Sequence, residues 1–120
     1  MNVLQIIRAL AQGVPASKWT VSDNGVRKGP VTEVNCGLHG TTVWLRFQYQ
    51  ADGADHKIEG SMPVTGGQDT IKLDGADVEH DDIVLSNRIV GFPPKIVVVV
   101  EFKFNQDGTD HRVRFDGPLG

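Results

Sequence analysis

The chain has one cysteine, Cys36, among 120 residues, so no internal disulfide can staple it. A lone thiol suits a reducing compartment. No apolar run approaches the ~18–20 residues that a helical membrane span needs. The first apolar stretch, Val3 to Leu10, is broken by Gln5 and Arg8 and lacks the basic lead of a secretory signal. The expectation is a cytoplasmic protein. Neither sign of charge dominates: 12 Lys and Arg stand against 15 Asp and Glu, for a formal charge of −3. That balance argues against a broad phosphate-binding face, which needs concentrated bases.

Catalytic signatures are also missing. The sequence has no Gly-x-Ser-x-Gly elbow, no His-Glu-x-x-His and no Walker loop, since Gly66-Gly67 lacks the following Lys-Ser/Thr. Cys36 has no context marking it as a nucleophile and reads as a small buried apolar residue. No acidic ladder closes on a twelfth-position Glu as an EF-hand requires, and Gly66 to Gly75 lacks the regular repeat of glycine–aspartate calcium rolls.

What remains is a single domain over residues 1–120, long enough to bury about two-thirds of its unfolded surface. Val3, Ile6, Ile7 and Leu10 follow helical spacing, so a helix is expected over about 2–12. Asn2 can cap it, Gly13 can end it, and Pro15 prevents continuation. A β-rich body should fill about 19–117. Asp23-Asn24-Gly25 reads as a tight turn between two short strands. Val31 to Cys36 reads as a strand and Gly37 to Gly40 as a loop. Thr70 to Leu73 and Val78 to Leu85 read as strands around Asp74-Gly75-Ala76-Asp77. Lys95 to Asn105 reads as a long strand, apolar on both faces, of the kind that is buried on both sides.

Leu45 to Ile58 and Val100 to Val113 resemble each other at a constant offset of 55, with five of fourteen positions identical. They predict two equivalent β-hairpins related by an internal pseudo-two-fold. Asp-Gly favours a two-residue loop. Side chains alternate faces along a strand, so this loop sets Phe47 opposite Ile58 and Phe102 opposite Val113. It also sets Tyr49 opposite His56 and Phe104 opposite His111. On the polar face Arg46 opposes Glu59 and Arg114 opposes Glu101. A three-residue loop would set Phe47 opposite Lys57 and is rejected. The expected fold is mainly β, within the α+β class. It is an antiparallel β-sandwich or partly closed barrel with two similar hairpins and one short N-terminal helix packed on the sheet.

Asp-Gly-[Ala/Thr]-Asp occurs at 52–55, 74–77 and 107–110. Gly supplies positive φ and Asp bonds nearby backbone, so turn geometry accounts for the pattern. Asp and His are also metal ligands and acid–base groups. His56 with Asp55, His111 with Asp110, and His80 with Asp81 are therefore the candidate ligand sets for a divalent ion. Cross-strand packing on Tyr49 and Phe104 explains His56 and His111 without one. No cofactor is expected. Trp44, Arg46 and Lys57, with Lys103, Arg112 and Arg114, fall on the hairpins' polar faces, where bases and aromatics could bind a single strand. The opposed glutamates argue against that.

These readings favour a non-catalytic β-sheet module that works by protein–protein contact or self-assembly. The alternatives are a divalent-metal protein or metal-dependent hydrolase using the Asp/His turns, and an oligonucleotide binder. Val98, Val100, Phe102 and Phe104 should face the core. Val97 and Val99, on the other face, then need cover from the N-terminal helix or from another subunit. A homo-oligomer is the expectation.

Overall fold

The computed structural model of the chain describes residues 1–119. It begins with helix α1 (Val3–Ala11), then a 3-10 turn (Ala16–Lys18). Asn2 caps α1: its side chain accepts from the Gln5 backbone N–H at 2.9 Å, and the Gln5 side chain accepts from the Asn2 N–H at 2.9 Å. This reciprocal pair satisfies two of the four donors that a helix start leaves open.

The strands are β1 (Thr20–Asp23), β2 (Val26–Lys28), β3 (Val31–His39), β4 (Thr42–Ala51), β5 (Ala54–Pro63), β6 (Thr70–Leu73) and β7 (Ala76–Asp77). They continue with β8 (Glu79–His80), β9 (Val84–Val90), β10 (Lys95–Gln106) and β11 (Thr109–Pro118). They form two antiparallel sheets without closing a barrel. One runs β2-β1-β11-β10, with both β8 and β9 pairing β10; the other runs β3-β4-β5-β6-β7. Their inner faces bury Phe47, Phe102 and Phe115 completely. Phe47 stacks on Phe115 with centroids 4.3 Å apart and meets Phe102 edge-on at 5.8 Å.

Both hairpins take the expected register. Phe47 opposes Ile58, Tyr49 opposes His56, Phe102 opposes Val113 and Phe104 opposes His111. Parity is set at the turns, where Asp52-Gly53 and Asp107-Gly108 both have positive φ. Asn24-Gly25 and Asp74-Gly75 repeat that geometry, the two-residue turn whose twist matches the strands it joins.

The internal likeness extends beyond the hairpins. The Asp74 N–H donates to the Lys57 carbonyl, and the Asp74 side chain accepts from the Lys57 N–H at 2.8 Å. Asn24 makes the same two bonds with Arg112. Since Lys57 and Arg112 are matched positions, the turn of β6–β7 corresponds to that of β1–β2. β3 bulges between Val31 and Glu33; at the matching place the other sheet breaks into β8 and β9. The two sheets are therefore two copies of one meander. In one copy the N-terminal hairpin β1–β2 fills the place that β6–β7 takes in the other. Pairing of β1 with β11 joins the two ends of the chain.

Several expectations need correction. Gly37 to His39 continue β3 rather than forming a loop. Val78 to Leu85 is not one strand: β8 ends at His80 and β9 begins at Val84. Arg46 faces Glu59 in register, yet its Nε bonds Glu33 on β3 at 2.7 Å, while Glu59 meets Lys57 at 3.4 Å. Arg114 likewise turns to Asp116 at 3.6 Å, and Arg112 reaches Glu101 at 4.0 Å. Long side chains reach along or across strands, so direct opposition does not fix the ion pair.

The long strand does bury Val98, Val100, Phe102 and Phe104 in the core. Its other face finds cover by a third route. α1 packs chiefly on β3 and sinks Ile6, Ile7 and Leu10 into the core. Val99 is only 7% exposed. Its in-register neighbours are Ser86 and Asp116, and Asp116 is ion-paired with both Arg88 and Arg114. Arg88 and Arg114 lie on the same face as Val99, opposite Val97 and Glu101, the residues two before and two after it on β10.

Candidate functional site

The matched turns give each hairpin one histidine held in the same way. His56 lies against Tyr49 with ring centroids 5.5 Å apart, and its Nδ1 meets an Asp74 carboxylate oxygen at 2.9 Å. His111 stacks on Phe104 at 5.3 Å, and its Nδ1 meets Asp23 at 2.9 Å. In the first copy Asp74 serves both the backbone and the imidazole. In the second these duties are divided between Asn24 and Asp23.

β8 adds a third imidazole beside the second hairpin. His80 opposes Phe104 on β10, which in turn opposes His111 on β11. A phenyl ring thus lies in register between two histidines, at the edge of an open cleft of about 740 Å³. Lys103, Arg112, Asp81 and Asp110 also line it. His80 has both ring nitrogens committed: Nδ1 is 2.9 Å from the Val78 carbonyl and Nε2 is 2.7 Å from the Asp69 carbonyl. A carbonyl only accepts, so satisfying both bonds requires the imidazolium. The Val78 carbonyl raises the His80 pKa most. The Asp69 carbonyl and the Asp69 and Asp81 carboxylates add to the rise, and burial opposes it. Asp69 is itself buried and accepts from the Ile83 N–H at 2.8 Å. His80 thereby ties the strand before β9 to the segment before β6.

The structure brings together His80, His111, Asp81 and Asp110, and leaves His56 and Asp55 on the other hairpin. Among the described residues no three His, Cys, Asp or Glu side chains converge on one point. Asp55 sits opposite Gln50 at the first hairpin's tip, exposed. Asp110 accepts from the Asn105 side chain at 2.9 Å, and Asp81 gives its backbone N–H to Lys103. Each His–Asp pair offers two ligands where structural zinc takes four. Burial pushes the Cys36 thiol up to about 11. Burial, aided by Asp23, Asp74 and Asp52, pushes the Tyr49 hydroxyl up to about 12. Neither is an activated nucleophile at neutral pH.

A second feature lies at the far end of β10. The hairpin joining β9 to β10 carries Phe92, fully exposed, beside Ile89 at 71% and Val90 at 38% exposure. β9 is an edge strand that pairs only β10 among the described residues. Ser86 to Pro94 carries only a weak strand pattern in the sequence. Its signal is an apolar pair, Ile89-Val90, separated by Gly91-Phe92-Pro93-Pro94 from the run beginning at Ile96.

Comparison with protein-family models, curated proteins and solved structures finds no match. Among the described residues no helix is long and apolar enough to cross a membrane.

Proposed function

We propose that this chain is a non-catalytic β-sandwich module of the cytoplasm that acts through protein–protein contact at its β9–β10 hairpin. One observation carries the reading: in the turn after β9 a fully exposed phenylalanine, Phe92, stands beside Ile89 and Val90, exposed aliphatic residues at the end of a strand whose outer edge pairs with no other strand among the described residues. Aromatic and aliphatic side chains grouped this way are unfavourably exposed to water and anchor interfaces when covered. The buried, unpaired Cys36 suits a reducing compartment. The oligonucleotide reading has less to rest on, because Arg46, Arg112 and Arg114 lie within salt-bridge range of carboxylates of the same chain.

Chemical cross-linking with mass spectrometry, in cells that make the protein, tests the proposal. The native chain should cross-link to protein through residues near the hairpin, Lys95 among them. The double variant Ile89→Lys, Phe92→Ser should lose those links while keeping its melting temperature. Equal cross-linking by both chains would refute the reading.

A further inference from the structure

The sequence of β9 reads Val-Leu-Ser-Asn-Arg-Ile-Val. Its polarity is a palindrome: two apolar residues, three polar, two apolar. Resting on the hairpin contact proposed above, we infer that the partner is a second copy of this chain, paired antiparallel along β9 about a two-fold axis at Asn87.

Three observations lead there. First, no hydrogen bond of the described backbone reaches the outer edge of β9, whose only strand partner is β10. Second, the internal likeness gives β9 the position in its sheet that β3 holds in the other. β3 is flanked by α1 and the 3-10 turn. β9 is touched near its middle by Met1, whose carbonyl accepts from the Asn87 side chain at 3.1 Å, with no backbone hydrogen bond to β9 among the described residues. Third, the palindrome is what a two-fold strand pair requires. Such an interface brings residue i to j and j to i. Centred on Asn87, it sets Val84 against Val90 of the second copy and Leu85 against Ile89 of the second copy. Ser86 meets Arg88 of the second copy, so the strand's only charge opposes a hydroxyl and never another arginine. A shift by one residue would set Val90, from the outer row of one copy, against Leu85, from the core row of the second copy.

The pairing would give partners to the open backbone groups and cover Val84 and Val90, which are 42% and 38% exposed. Natural edge strands that stay single are usually short, or protected by charge, proline or a bulge. β9 has seven residues, one charge and no proline.

Sedimentation equilibrium across a dilution series, up to millimolar chain, tests the inference with a charge exchange. Val84 and Val90 are six residues apart, about 20 Å along one strand, so they cannot touch within one chain. In the second copy's register they are direct partners. Val84→Lys places its charge beside Glu101, and Val90→Glu beside Lys95, so both variants should fold; circular dichroism checks that. The native chain should be a dimer. Each single variant should raise the dimer Kd about ten-fold, because the two-fold repeats the altered pair twice. The double variant Val84→Lys, Val90→Glu should return to within about three-fold of native, since it restores opposite charges across the axis. A native chain that stays monomeric throughout overturns the second copy as partner. The hairpin reading would then stand or fall on the cross-linking above. A dimer that the single variants do not weaken, or that the double variant weakens further, overturns the register.

Discussion

Gly37 and Gly117 offer the same substitution with opposite expected outcomes. Each lies within a strand, and each has a tryptophan where a side chain would go. A Cβ on Gly117 would come 2.4 Å from the Trp19 ring; one on Gly37 would come 2.7 Å from the Trp44 ring. Such atoms do not approach below about 3 Å in ordinary packing, so the tryptophan must move in both cases. Trp19 is 3% exposed and packs 6.0 Å from Phe47 within the hydrophobic core. Trp44 lies on the outer face, opposite Ser61 and in the row of Gly37 itself, and is only half-buried. It can rotate toward water. Alanine restricts the unfolded chain and so stabilises by about 0.4–1 kcal/mol where it fits. Overpacking a core costs about 1–3 kcal/mol. Gly117→Ala should therefore destabilise by about 1–2 kcal/mol, and Gly37→Ala should change stability by less than about 0.5 kcal/mol. With a urea dependence of about 1–3 kcal/mol per molar, the Gly117→Ala midpoint should fall by roughly 1 M, while the Gly37→Ala midpoint stays within about 0.3 M. Urea unfolding followed by far-ultraviolet circular dichroism measures both. Equal shifts, or a stabilised Gly117→Ala, would refute the placement of Trp19 in the core.

Asp74→Asn should cost less than about 0.5 kcal/mol, because an amide oxygen can still accept from Lys57 as Asn24 does from Arg112. Asp74→Ala should cost about 1–2 kcal/mol in the same urea assay, from the lost acceptor and from alanine at φ 50°. Cys36 should resist a thiol reagent in the native state, even at about pH 9, because burial holds its pKa near 11. Reaction within seconds under native conditions would contradict that burial. His80 stabilises in its protonated form: its folded pKa lies above the ordinary value of about 6.5, so its contribution is full below that value and is lost as pH rises through the folded pKa. The gap in Tm between the native chain and His80→Gln should be larger at about pH 5.5 than at about pH 8.5. A gap that widens with pH would mean that His80 is bound neutral.

The hairpin registers were legible because Asp-Gly turns fix parity, and parity decides which face Phe47 and Phe102 take. The placement of His56 and His111 followed from the same count. The pairing of β1 with β11 was not legible, since no local pattern links Val21 to Phe115 across most of the chain. The companion carboxylates of the histidines, Asp74 and Asp23, come from neighbouring turns for the same reason. Gly37 misled because glycine usually marks a break, while here it makes room for Trp44. The surroundings of Val99 were not legible because its in-register neighbours Ser86 and Asp116 lie on other strands, and no local pattern places them beside it. β9 was missed because Ser86-Asn87-Arg88 interrupts its apolar residues at the centre.

Residue-resolved hydrogen exchange along β9, at a series of chain concentrations, bears most directly on the proposed contact. Amides that face β10 should be protected at every concentration. Those on the outer edge should exchange freely in dilute solution and become protected as the chain is concentrated, with half-protection near the dimer Kd. Outer-edge amides that exchange at the free rate at every concentration would contradict the pairing of β9 with a second copy.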